Sequence, residues 1–135
     1  MTRSLHKLLD DVRGVTIIEF AIALPVLVTF IWGIFQIGLL FMAYAGMQHA
    51  LGQAARFATI YPTPANDSIK TKVAANKFGT GNGTLEPLSI VEGTSGGTGP
   101  QYKTLSLTYR QPLNFLFFQG PNVTLTQSKR VYVAS

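Results

Sequence analysis

The stretch from Val15 to Ala45 reads VTIIEFAIALPVLVTFIWGIFQIGLLFMAYA, and it decides the fold of this chain. As a helix, it would extend about 45 Å at ~1.5 Å per residue, whereas a bilayer core needs only about 20 residues. The apolar region of a secretory signal is shorter, at roughly 7–15 residues. The sequence therefore predicts a transmembrane helix over residues 15–45 rather than a cleavable secretory signal.

Positive charges flank this stretch on one side only. Arg3, Lys7 and Arg13 precede it, and no Lys or Arg follows it until Arg56. Because cytoplasmic segments carry an excess of positive charge, this asymmetry predicts a cytoplasmic leader, residues 1–14. We expect a single-pass protein of the inner (cytoplasmic) membrane, with membrane lipid as a partner and its C-terminal domain in the periplasm.

The helix is expected to continue beyond the membrane as an amphipathic extension over residues 46–61. At ~100° per residue, Tyr44 and Leu51 fall on one side, and His49 and Arg56 fall nearly opposite. Between these sides lies a ladder of small side chains, which permits close packing against a domain of the same chain or a neighbouring subunit. The ladder consists of Gly46, Ala50, Ala54 and Ala58.

Composition excludes several classes of site. The chain has no cysteine, which excludes disulfides and thiolate ligands, and its two histidines, His6 and His49, lie on opposite sides of the apolar run. The carboxylates beyond that run are scattered singly, so we expect no metal and no cofactor. The net charge of +5 comes from dispersed Lys and Arg, a pattern typical of a solvated face and not of nucleic-acid binding. Neither histidine has a nucleophile and a carboxylate nearby, and we expect no enzymatic activity.

The remaining residues, 62–135, predict a small extracytoplasmic domain. Pro62 and Pro64 end the long helix, because proline disfavours helical geometry in the residue before it. Asn66-Asp67-Ser68 then offers N-cap chemistry for a short helix that carries Ile69.

Strands are indicated by alternation of apolar and polar residues. Lys103–Tyr109 and Val123–Val133 alternate clearly, and Ile90 indicates an earlier strand. Lys129 falls on the apolar parity, which predicts a bulge or an exposed strand end there. The predicted fold class is α+β: a long N-terminal helix, a short helix, and a small antiparallel sheet of three or four strands packed on the long helix.

An apolar run lies on the predicted connection between the last two strands. Two interpretations stay open for it: a plug that fills the gap between helix and sheet, or an exposed patch that contacts the membrane or a neighbouring subunit. The run consists of Phe115, Leu116, Phe117 and Phe118.

The start of the apolar helix carries two features that need a joint explanation. Gly14 marks the end of the polar leader, and Glu19, the only carboxylate in the span, follows five residues later. An ionisable group costs about 2.5–3.5 kcal/mol at mid-bilayer and less near an edge, so one explanation is that Glu19 snorkels to the headgroups. The string Arg13-Gly14-Val15-Thr16-Ile17-Ile18-Glu19-Phe20, however, closely resembles the processing site of type IV pilin-like proteins.

The wider pattern resembles one pilin-like family. The continuation of the string through Pro25, together with Gln53-Ala54-Ala55-Arg56, is similar to TadE-like proteins, the minor pilins or pseudopilins of the tight-adherence (Flp) pilus machinery. The resemblance implies a pilin-like fold and cleavage by a prepilin peptidase between Gly14 and Val15. It also implies that Glu19 meets the terminal amine of an adjacent subunit and sets the axial register.

The resemblance also implies partners and a function. The partners are the prepilin peptidase, other pilin or pseudopilin subunits, and the inner-membrane assembly platform. The function is that of a subunit of a tight-adherence pilus or a related secretion apparatus. The alternative is an uncleaved, single-pass, membrane-anchored periplasmic accessory or binding protein.

Overall fold

One continuous helix, α1, runs from Val12 to Ala58 in the computed structural model, which describes residues 12–97 and 99–133. Its 47 residues extend about 70 Å at ~1.5 Å per residue. The helix ends at Ala58 rather than at residue 61, and a turn leads to the prolines. Most of the predicted leader, residues 1–14, lies outside the described residues.

A short second helix, α2, spans Asn66–Asn76 and packs against α1. Ile69 and Val73 are buried there. The prediction of a side-chain cap from Asn66-Asp67-Ser68 is wrong, because the N-cap residue is Ala65 and it makes no side-chain cap hydrogen bond. The amide of Asn66 instead bonds to the sheet, where it contacts Glu92 and Lys103.

Four strands form an antiparallel sheet: β1 (Thr84–Leu85), β2 (Ser89–Thr94), β3 (Gln101–Phe115) and β4 (Phe118–Tyr132). β4 pairs with β3 along almost its whole length, and β1 and β2 pair with β3 in the same region. Because a strand has only two edges, β1 and β2 lie end to end along the edge of β3 opposite β4. This arrangement confirms the predicted α+β class with a small antiparallel sheet.

The apolar residues of the alternating pattern predicted in β3 face the core. Leu105, Leu107 and Tyr109 are buried and pack with the residues of α1 that the sheet covers. In β4, Val131 is buried on the same face, but Lys129 is exposed although it pairs in register with Leu105. The predicted bulge or strand end at Lys129 is therefore wrong.

The register shift between β3 and β4 lies instead between Pro112 and Asn114. Proline has no N–H to donate to the ladder, which explains the irregularity at this point. Beyond the shift the two strands continue to pair as far as Phe115 and Phe118. The predicted connection is thus only a two-residue turn, Leu116-Phe117, and the hairpin is long, with 15 residues in each strand.

The side of α1 that faces the domain carries small and apolar residues. All are at most 3% exposed: Ala43, Met47, Ala50, Leu51, Ala54, Ala55 and Ala58. Tyr44 lies seven residues before Leu51 and so on the same side of the continuous helix, as predicted, but it is 41% exposed. The sheet and α2 cover a face centred on the small residues, and Tyr44 lies at the edge of that face. Its hydroxyl accepts a hydrogen bond from Gln48 Nε2 at 3.1 Å.

Candidate functional site

The described residues outside α1 leave the first part of this helix largely uncovered. None of residues 14–35, the exposed half of α1, is buried, and large apolar side chains such as Ile17 (69%) and Phe20 (66%) are mostly exposed. The helix is long and apolar enough to cross a membrane, with a mean hydropathy of 2.3 over its most apolar window. A helix that is apolar all round requires lipid or other helices around it.

Gly14, Val15 and Glu19 lie in the first turns of this exposed half. A Cβ added to Gly14 would meet nothing within 4 Å, so packing within the described chain does not require a glycine there. Glu19 follows Val15 by four residues, which places the two about 5–6 Å apart on one face of the helix. No ion pair or hydrogen bond of the Glu19 carboxylate occurs within residues 14–97 and 99–133.

The ladder of small residues is covered by the chain's own domain. Ala50, Ala54 and Ala58 are fully buried. A Cβ on Gly46 would overlap the backbone carbonyl of Phe78, so glycine allows the segment after α2 to approach the helix closely. Of the two partners predicted for the ladder, the structure shows the domain of the same chain.

The hairpin tip, Phe115–Phe118, lies at the end of the sheet nearest the exposed half of α1. Phe115 is half-buried, and its ring is the nearest atom group to a Cβ added at Gly33. Leu116, Phe117 and Phe118 are 53%, 68% and 57% exposed. The interpretation of the run as a plug between helix and sheet is therefore wrong for these three residues.

Two α1 side chains hold the hairpin just above its tip. Trp32 Nε1 donates a hydrogen bond of 2.7 Å to the backbone carbonyl of Asn114, and Gln36 Nε2 donates one of 3.1 Å to the same oxygen. Gln111 Nε2 lies 3.4 Å from Gln36 Oε1, and the Tyr109 hydroxyl donates to Gln111 Oε1 at 3.0 Å. These five residues form a polar relay that links the core of the sheet to the helix.

The inner part of the relay is shielded from solvent, whereas Trp32 and Asn114 at its outer end are exposed. Gln36 is 7% exposed and Gln111 is 1% exposed, and the described residues contain no buried side-chain N or O atom without a partner. Burial raises the pKa of the Tyr109 hydroxyl above its usual value. Since a buried amide without partners is unfavourable, the relay favours a single position of the hairpin against α1.

Sequence reasoning missed the relay, although two signals were present. Gln36 is an amide inside an apolar run, where polar side chains commonly have a specific partner. Gln111 continues the inward parity of Leu107 and Tyr109, so an amide stands where the pattern predicts an apolar residue. The two amides lie 75 residues apart in the sequence, and no local pattern joins them.

An apolar groove separates the hairpin tip from the exposed half of α1. Its volume is about 680 Å³, and its walls are residues of α1 between 25 and 37 and, in the hairpin, Leu113, Phe115, Phe117 and Phe118. Gln36 and Thr29 are the polar residues that line it. Such a lining fits hydrocarbon and offers no group suited to acid–base chemistry.

A polar cluster lies at the opposite end of the domain, where α2 meets the sheet. Asn66 Nδ2 donates to Glu92 Oε1 at 2.8 Å, and Lys103 Nζ lies 2.7 Å from Asn66 Oδ1 and 3.1 Å from Glu92 Oε1. The hydrogen bond from Asn66, and then the contacts with Lys103, hold the pKa of Glu92 below its usual value. In the described part of the chain, no three His, Asp or Glu side chains are placed to hold a metal ion.

Comparison with known families finds one match. Residues 14–56 match the family model described as TadE-like protein. This range begins at Gly14 and ends two residues before the end of α1, so the similarity that the sequence pattern predicted covers the helix and not the domain that follows it. No curated protein and no solved structure matches the chain.

Proposed function

We propose that this protein is a pseudopilin or minor pilin subunit of a tight-adherence pilus or a related secretion apparatus. A prepilin peptidase cuts it after Gly14, and the exposed half of α1 then enters the assembly. The observation that carries the proposal is that the family match covers Gly14 and Glu19 together with a helix half that the described residues leave largely uncovered.

The uncovered helix fits both stages of such a life cycle. Before assembly, lipid covers residues 14–35, and the helix crosses the inner membrane once with its N-terminus in the cytoplasm. During assembly, helices of other subunits replace the lipid. Because lipid tails are as apolar as leucine side chains, this exchange brings little hydrophobic gain, and packing shape and polar contacts must define the arrangement.

Glu19 supplies the polar contact. Cleavage after Gly14 creates an α-amine on Val15 that is positively charged at neutral pH, since such amines titrate near ~8. A carboxylate and an amine that leave water together stabilise each other better than either is stabilised alone. Glu19 lies one turn above Val15 on the same face, so a neighbouring subunit shifted along the axis by about one turn brings its amine to this carboxylate.

The cleavage step is tested by the mass of the protein extracted from membranes of cells with an active prepilin peptidase. We expect a mature chain that begins at Val15. Gly14→Leu should accumulate with its leader attached, because the position before the cut requires a small side chain, whereas Gly38→Leu should be cut normally. A wild-type chain that keeps Met1 under these conditions would contradict the proposal.

A second function is favoured by one observation. The domain covers the helix ladder within a single chain, so the domain buries its core without a neighbouring subunit. An uncleaved periplasmic accessory or binding protein would have this arrangement. The mass of the extracted chain separates the two functions, because only the first requires removal of residues 1–14.

A further inference from the structure

We propose that the hairpin tip, Phe115–Phe118, is a second membrane-contacting element that enters the outer leaflet beside α1. Lipid acyl chains then fill the groove between the tip and residues 25–37 of the helix. The inference rests on the part of the proposed function that places α1 across a membrane, and it does not depend on cleavage or on assembly.

The depth of the tip follows from the helix residues that it contacts. At ~1.5 Å per residue, Gly33 lies about 27 Å and Gln36 about 32 Å along α1 from Val15. A hydrocarbon core is about 30 Å thick. If the membrane span begins at Val15, after the last basic residue of the leader, the tip lies at the outer boundary of the hydrocarbon core and extends into the core.

The polarity of the hairpin changes at the same level. Asn114 and Gln119 face each other across the strands, and all four residues beyond them are apolar. The tip extends two residues per strand past this pair, or about 7 Å. Interfacial segments are typically buried by about 5–10 Å, so the tip is long enough to reach the acyl chains but too short to span a leaflet.

Hydrogen bonds to the Asn114 carbonyl reduce the energetic cost of placing the hairpin at this depth in the membrane. A backbone carbonyl without a partner is unfavourable next to hydrocarbon, and the register shift lies beside this residue. Trp32 and Gln36 both donate to it. Tryptophan is enriched at membrane interfaces because its ring is apolar and its N–H seeks a polar partner, which describes the position of Trp32.

Lipid is the occupant that this geometry favours. One wall of the groove is the proposed membrane span itself, so acyl chains are already beside every copy of the protein in the membrane. A second copy would reach the groove only at high subunit density. The lining is almost entirely apolar. Among the described residues, no charged side chain lines the groove, so it offers no charge to bind a peptide or a lipid headgroup.

The test uses the absence of cysteine, which makes any introduced cysteine unique. The full chain carries one spin label at Phe117→Cys and is reconstituted in lipid nanodiscs at one copy per disc. Leu27→Cys in the exposed half of α1 is the reference for the span, and Ser128→Cys, exposed in β4, is the reference for water. Collisions of the label with a water-soluble nickel complex are measured by power saturation.

We expect the label at Phe117 to collide with nickel about tenfold less often than the label at Ser128, because a polar complex is poorly soluble in hydrocarbon. Phe118→Cys, which is also exposed, should give the same result and guards against a local defect of the first variant.

Other outcomes overturn the inference in distinguishable ways. If Leu27 is protected and both tip labels collide as often as Ser128, the tip is in water while the span stands. Protection of the tip only in discs with several copies identifies a second copy as the occupant. If Leu27 is also accessible, the span fails, and the proposed membrane anchoring fails with it.

Discussion

The two halves of α1 have similar helical geometry and opposite surroundings. The exposed half, residues 14–35, carries large apolar side chains, and none of them is buried. The covered half, residues 43–58, carries small residues on one face, and that face is fully buried by α2 and the sheet. If hydrophobicity alone decided where the domain packs, the domain would cover the exposed half of α1 rather than the covered half.

Side-chain size, rather than apolarity, distinguishes the part of the helix on which the domain packs. Glycine and alanine let the backbone of another segment approach, and Gly46 beside Phe78 is the clearest case. Large apolar residues remain for a partner outside the domain. The polar relay marks the boundary between the halves, because Gln36 is the first buried residue along the described helix.

The largest expected effect concerns the exposed half. Removing one partner of a charge pair that has left water costs about 3–5 kcal/mol, so Glu19→Ala should reduce incorporation into the assembled apparatus more than a hundredfold. Membrane insertion should be unchanged. The measurement compares the amount of subunit in sheared pili or apparatus with the amount in membranes.

The matched control is Ile22→Ala, a change of an exposed residue close to Glu19 on the helix. It should assemble at near wild-type levels. Normal assembly of Glu19→Ala would leave snorkelling to the headgroups as the explanation of this carboxylate.

The next effect concerns the covered half. Gly46→Ala places a methyl group against the Phe78 carbonyl, and overpacking of this kind costs up to about 3 kcal/mol, because backbone cannot rotate away as a side chain can. Thermal unfolding in detergent, followed by circular dichroism, should show a lower Tm. Gly38→Ala is the control, since a Cβ there meets nothing within 4 Å. Equal Tm values for the two variants would refute the close approach.

A smaller effect is expected at the boundary between the halves. Gln36→Leu leaves the Gln111 amide and the Asn114 carbonyl short of a partner, at a cost of about 1–3 kcal/mol. Amide exchange should increase in residues 111–119 and change little in α2. Gln48→Leu removes an exposed side-chain hydrogen bond from the same helix to Gln127 of β4, far from the tip, and should leave exchange in residues 111–119 unchanged. Uniform exchange in Gln36→Leu would argue against the relay.

The smallest effect is a pH dependence within the domain. The Asn66 and Lys103 contacts lower the pKa of Glu92 in the folded state below its ordinary value of 4.5. The stabilisation is therefore present above that value and is lost as the pH falls through the lower folded pKa. Tm measured between neutral and acidic pH should fall less steeply in Glu92→Gln and in Asn66→Ala than in the wild type. Parallel curves for all three proteins would contradict this role of the cluster.

Local sequence patterns were sufficient to predict the long helix, the existence of the sheet and the ladder on which the domain packs. An apolar run longer than a bilayer, the Gly46–Ala58 ladder and the alternation around Leu107 each reflect a local periodicity, and local periodicity is visible in the chain. The Gly14 and Glu19 pattern also predicted a resemblance to TadE-like proteins, and residues 14–56 match the model of that family.

Contacts between residues far apart in the chain could not be predicted in this way. Asn66 was predicted to cap its own helix, but the sheet competes successfully for its amide through Glu92 and Lys103. The tip was assigned to a connection, but pairing across a register shift carries the strands to Phe115 and Phe118. The physical reason is that hydrogen bonds such as those of Trp32 and Gln36 to Asn114 join groups about 80 residues apart, where no periodicity in the sequence records their partners.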